Sequence, residues 1–206
     1  MPVDLSPRST GAARYAASLA GQLDSELVFV HAAGEWQSIG TNGEAVRELI
    51  AAICNGVPNR FLIRKGAPVA VILDAAETEK TDLILMPAKG ASTLSRLLGR
   101  SITAQLQRAA SCPVWAGVDD LSPHAGRPIR SILCGLSLGP HASAVLRWAA
   151  DLAARLTAAL TVVHTSKAMG SVFPCPNNGK WGLWVKKMAR DDIRALQLSA
   201  GTHANV

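Results

Sequence analysis

The sequence predicts an α/β fold: a doubly wound parallel sheet, followed by a partial second copy of the same unit. Three observations carry this. Aliphatic, strand-like runs alternate with alanine-rich helical segments across residues 1–118, the order of βαβ units. The strand-like runs are almost continuously apolar, as strands covered on both faces must be. The segment RYAASLAGQLDSELVFVH at 14–31 recurs without a gap as RWAADLAARLTAALTVVH at 147–164.

In the first copy a short strand ends at Leu5-Ser6, and a helix is expected over 9–23, its buried face marked by Tyr15, Leu19 and Leu23. Residues 26–31 read as the next strand. A polar, glycine-containing loop over 34–43 leads to a helix at 44–53, and a strand follows at 60–64. Gly66-Ala67-Pro68 opens a helix that ends near Thr78, since proline suits a first helical turn. Residues 82–86, Asp-Leu-Ile-Leu-Met, form a buried strand. A loop containing Gly90 leads to a helix over 101–110, and the strand from Pro113 to Val118 closes the unit.

Residues 119–126 read as a linker, so the expected domains are 1–118 and 127–206. The second copy supplies a strand at 131–135, the repeated helix and the strand ending at His164. Leu136-Ser137 aligns with Leu5-Ser6 if the later loop holds two extra residues, which sets Gly135 opposite Asp4. An amphipathic helix is expected over 181–198. Its apolar stripe of Trp181, Trp184, Val185, Met188 and Leu196 faces away from Lys186, Lys187, Arg190 and Arg194. Such a helix packs on protein or lies on a membrane surface. The strands that would complete the second unit are expected to be missing, so that copy reads as truncated.

Composition narrows the function. The chain has 206 residues, 49% of them hydrophobic and 17% charged, which suits a globular core. The net charge of +6 is spread along the chain without aromatic interleaving, which argues against a nucleic-acid groove. Cys54, Cys112, Cys134 and Cys175 form no ligand spacing, and the five histidines add none, so no metal site is expected. No apolar run is long enough to span a bilayer, and a reducing cytoplasm is the expected location. No catalytic residue is assigned: the G-x-S-x-G elbow is absent, and His31 and His164 close equivalent strands as repeated structural features.

Taken in order, Val3-Asp4-Leu5-Ser6, Gly66-Ala67-Pro68, residues 82–86, the Gly90 loop, Gly99-Arg100-Ser101 and Cys112-Pro113-Val114 resemble the universal stress protein family over essentially the whole chain. The resemblance implies a strand order of 3-2-1-4-5 and, in nucleotide-binding members, ATP at the carboxyl ends of the strands. It gives Asp4 the role of recognising the adenosine end; a plain turn or capping role is equally open to an aspartate there. The family's phosphate loop reads glycine, two residues, glycine, nine residues, glycine, hydroxyl residue. Here Pro87 replaces the first glycine and removes an N–H donor, Gly99 comes one residue early, and Arg100 intervenes before Ser101.

The resemblance therefore implies a non-enzymatic stress-response or regulatory binding module with a degraded adenine-nucleotide site. The site residues are Asp4, Gly66, Gly90, Gly99, Arg100 and Ser101, with weak ATP as the candidate ligand. An adenine-nucleotide sensor, with or without slow ATP hydrolysis, is the alternative. Family members pair through their fifth strand, so a homodimer through Pro113 to Val118 is expected, with neither nucleic acid nor membrane as partner.

Overall fold

The structure is a computed structural model, and it describes residues 1–3, 7–34, 40–54, 56–87, 101–118, 128–164 and 180–200. The chain divides into unit 1, Met1–Arg127, and unit 2, Pro128–Val206.

Unit 1 contains α1 (Pro7–Gln22), β1 (Leu27–Ala33), α2 (Gly40–Ile53), β2 (Asn59–Lys65), α3 (Pro68–Thr78), β3 (Ile84–Pro87), α4 (Ile102–Ala109) and β4 (Val114–Val118). β1 pairs in parallel with β2 in the register Phe29↔Phe61. On its other side β1 receives the chain start: Val30 donates its N–H to Met1 O and accepts from Val3 N–H, each at 2.9 Å. β3 pairs in parallel with β4. These are the 3-2-1 and 4-5 neighbours of the expected order. Among the described residues no ladder joins the Met1 segment to β3. The two halves share a core instead: Val30 and Ile84 pack with Val71, Ile72 and Ala75 of α3 and Leu106 of α4.

The sheet is doubly wound. α1 touches α2, β1, β3 and β4, while α3 and α4 touch each other and cover β1 and β4 respectively. β3 is buried at Ile84, Leu85 and Met86 because both faces carry helices. The sheet-facing surface of α1 is an alanine stripe, Ala12, Ala13, Ala16, Ala17 and Ala20, flanking Leu19. Tyr15 and Leu23 are only half-buried, contrary to expectation; alanines bring the helix backbone close to the sheet and leave the larger residues at the margin.

β2 is ionically strapped to the end of α3. Arg60 pairs with Glu26 and Glu79, and Arg64 with Asp74 and Glu79. Several sequence boundaries shift by one to four residues. α2 begins at Gly40, ahead of the expected 44; its first residues Gly-Thr-Asn-Gly have low helix propensity, so the sequence assigned them to the loop. β3 begins at Ile84, leaving Asp82 and Leu83 outside it.

Unit 2 contains β5 (Ser131–Gly135), α5 (Ala142–Arg155), β6 (Ala159–Val163) and α6 (Lys180–Ala200). β5 and β6 pair in parallel, and one face packs Cys134, Leu160 and Val162 against Leu146, Ala149 and Ala153 of α5 and Ile193 of α6. The protein-packed reading of α6 rests on Ile193 and half-buried Leu196. Met188, placed in the buried stripe from sequence, is 44% exposed. The side chains of Trp181, Trp184 and Val185 lie outside the described residues.

The repeat is repeated geometry. Pro2 bridges Val30 as Gly135 pairs with Val163, and Val3 N–H bonds Val30 O as Leu136 N–H bonds Val163 O. α1 ends at Gln22 and α5 at Arg155, each followed by the same left-handed residue, Asp24 (φ 49°) or Thr157 (φ 52°). Ser25 N–H then returns to Ala20 O at 3.0 Å, and Ala158 N–H to Ala153 O at 2.8 Å, the closure of a Schellman motif. All these pairs share one offset, that of His31 to His164. The later loop therefore holds no extra residues, and Gly135 is the counterpart of Pro2. In this register the counterpart of Asp4 is Ser137. The sequence alignment was misled by two Leu-Ser pairs that are not equivalent.

Candidate functional site

Parallel strands bring their carboxyl ends to one edge, and there the helix N-termini of unit 1 begin. At that edge β2 ends at Lys65, and Gly66 turns the chain with φ 138°, a conformation open to glycine and costly to other residues. Its N–H donates to Ala33 O, the end of β1, at 3.2 Å. A Cβ at Gly66 would sit 3.2 Å from Val71 Cγ2, so the turn is tight as well as left-handed. Ala67 then caps α3 and Pro68 occupies its first turn, where a missing N–H costs nothing.

Ser101 caps α4, its Oγ accepting from Ala104 N–H at 3.5 Å. The next residue, Ile102, packs on the same core cluster as Val71. The N-termini of α3 and α4 therefore rise from one layer, and free helix-end N–H groups suit an anion. Of the site residues expected from sequence, Gly66 and Ser101 are placed in this way. Asp4, Gly90, Gly99 and Arg100 lie outside the described residues.

Pro87 ends β3 at an irregularity. Met86 pairs with Ala116, but Pro87 pairs with Val118, so Gly117 (φ 92°) is an extra residue in β4. A proline supplies no ladder N–H, and a bulge is one of the few sheet positions that tolerates it.

Sequence reasoning treated the two histidines as structural, and the structure shows what each does. His31 Nδ1 lies 2.9 Å from Val3 O, and His164 Nδ1 lies 2.8 Å from Leu136 O. Both rings are half-buried. The shared Val-His at the end of both repeats was the available signal. Burial pushes the thiols of Cys54, Cys112 and Cys134 up, so they remain protonated and serve as small apolar groups. Among the described residues no group of His, Cys, Asp and Glu could hold a metal, and no helix is long and apolar enough to cross a membrane.

Comparison with known proteins agrees with this architecture. A universal stress protein of Methanocaldococcus jannaschii is 28% identical over 131 residues, covering 55% of this chain and 77% of that protein. A universal stress protein structure from Archaeoglobus fulgidus matches with a TM-score of 0.70 at 17% identity, covering 99% of this chain and 74% of the other. A protein of unknown function from Pseudomonas aeruginosa matches with a TM-score of 0.62 at 16% identity, covering 98% and 68%. The model of the Universal stress protein family matches residues 1–116. That span takes in every strand and helix of unit 1 as far as β4, and the chain belongs to the universal stress protein family.

Proposed function

We propose that the chain is a non-catalytic stress-response or regulatory module that binds an adenine nucleotide weakly at the carboxyl edge of unit 1. The observation that carries this reading is the Gly66 turn, a left-handed glycine directly before α3 in the same layer as the Ser101-capped α4. Gly90, Gly99 and Arg100 would add donors and positive charge for the phosphates, and Asp4 would take the adenosine end. The affinity is weak because Pro87, where the family motif has glycine, offers no N–H. Slow ATP hydrolysis is the rival reading; it calls for a general base or a metal ligand set that the sequence does not place.

Unit 2 is read as a second copy of the fold's opening β-α-β segment, with 1–118 and 127–206 as the two domains and 119–126 as the link. The shared offset of its helix end, its strand pairing and its histidine supports this. The free thiols of Cys54 and Cys134, both buried, and of half-buried Cys112 fit a reducing cytoplasm.

Titration calorimetry with ATP tests the site. Dissociation constants in the micromolar range or weaker are expected, about −8 kcal/mol or less favourable. Asp4→Ala should weaken binding further. Nanomolar affinity would contradict a degraded site, and silence at millimolar ATP would favour an interaction scaffold. Phosphate release on the timescale of minutes, lost in a site variant, would favour the hydrolase.

A further inference from the structure

The carbonyl oxygens of Val3 and Leu136 only accept, so the proton in each histidine contact belongs to Nδ1. This fixes the neutral tautomer, and the bond survives protonation of the ring, since both nitrogens then donate. Each histidine stands one residue beyond the Val whose carbonyl already takes the N–H of the same partner: Val30 O from Val3, Val163 O from Leu136. Both backbone polar groups of Val3, and both of Leu136, are thereby held by the neighbouring strand, one by backbone and one by imidazole. The bond spans 28 residues of sequence in each unit. Duplication of the whole arrangement sets it apart from an incidental contact of a half-buried ring.

We propose that His31 and His164 are latches that fix where the first strand of each unit leaves the sheet, and that the His31 latch, by holding Val3, positions Asp4, the next residue in sequence, for the adenosine role proposed above. The second half rests on the nucleotide reading above. The two latches differ in what they aim. The residue after Val3 is Asp4, a carboxylate, whereas the residue after Leu136 is Ser137. His31 is a positioning residue acting through Val3; His164 makes the same bond where no carboxylate follows, which provides an internal control.

Nitrogen-15 shifts of the two rings at neutral pH should report Nδ1–H tautomers in the unaltered protein. An Nε2–H tautomer at His31 would overturn the latch. His31→Ala should speed amide exchange at Val3 and raise the ATP dissociation constant roughly tenfold, the scale of one lost hydrogen bond. His164→Ala should speed exchange at Leu136 and leave ATP affinity alone. His31→Asn, whose amide can donate to Val3 O, should recover part of both losses. Unchanged exchange in His31→Ala would refute the latch. Equal weakening of ATP by both alanine variants would refute the specific positioning role. If the unaltered protein binds no ATP, the nucleotide reading fails by itself, and the tautomer and exchange data still decide the latch.

Discussion

Asp24 and Thr157 adopt the same left-handed backbone conformation, with φ of 49° and 52°, at the ends of equivalent helices. Neither is glycine, the residue that usually occupies such a position. Left-handed backbone costs an L-residue about 1–2 kcal/mol, less for aspartate and more for a β-branched side chain. Thr157→Gly should therefore stabilise unit 2 by ~1 kcal/mol, and Asp24→Gly should stabilise unit 1 by less. Thermal denaturation of the two variants, compared with Lys80→Gly at the third such helix end (φ 49°), checks the ranking.

Gly66 predicts the opposite sign. Its φ of 138° and the 3.2 Å approach of a Cβ to Val71 Cγ2 make Gly66→Ala destabilising by ~1–3 kcal/mol. Adding Val71→Ala removes the contact but leaves the dihedral strain. The double variant should thus stay well below the parent in urea denaturation; full recovery would assign the cost to crowding alone.

A protein prepared to start at Met1 with a free amino group should carry a signature in its pH profile. The Met1 amino group is buried beside Val28 O, at 2.5 Å, and desolvation lowers its pKa from 8.0 to about 5. The folded state then holds fewer protons than the unfolded state between those values. Stability from this group is complete above pH 8 and is lost as pH falls toward 5, by ~4 kcal/mol at most. Stability of the Met1-initiated chain should rise across that window, and N-terminal acetylation should flatten the rise.

Assembly is expected at β4. Among the described residues β4 pairs with β3 alone; Val114 and Trp115 are half-buried, and Ala116 is exposed. A homodimer joined antiparallel along residues 113–118 would pair the open edge and cover Trp115. Light scattering should give twice the chain mass, reverting to a monomer in Ala116→Pro. A monomer at high micromolar concentration, unaltered by the substitution, would refute it.

Much of the fold was legible because its signals are local. Aliphatic runs gave β1, β2, β5 and β6 to within a residue or two, and Pro68 and Ser101 marked helix starts through first-turn chemistry. Burial was less readable in α1, where alanines rather than Tyr15 or Leu23 set the contact with the sheet. Long-range register was the weakest point. Leu5-Ser6 and Leu136-Ser137 look alike, but the matching bonds of Val3 to Val30 and of Leu136 to Val163 make Val3 the counterpart of Leu136. Within the site, Gly66 was legible as part of the Gly-Ala-Pro opening of a helix, whereas the bond from His31 to Val3 O joins residues 28 apart and was signalled only by the Val-His shared by the two repeats.

The bulge at Gly117 has a bearing on misassembly. With Gly117 unpaired opposite Pro87, regular pairing runs only over Val114–Ala116 before the strand bends. Stacking into cross-β fibrils favours flat, uninterrupted segments of about six residues without proline. An apolar edge of Val-Trp-Ala would otherwise be a hazard while the chain is newly made and its neighbours are unfolded. The bulge at Gly117 should interrupt the regular stretch of this edge and so limit it to contacts with a defined end. Gly117→Val, by favouring a straight strand, is the substitution most apt to turn a controlled edge into a seed for insoluble aggregates.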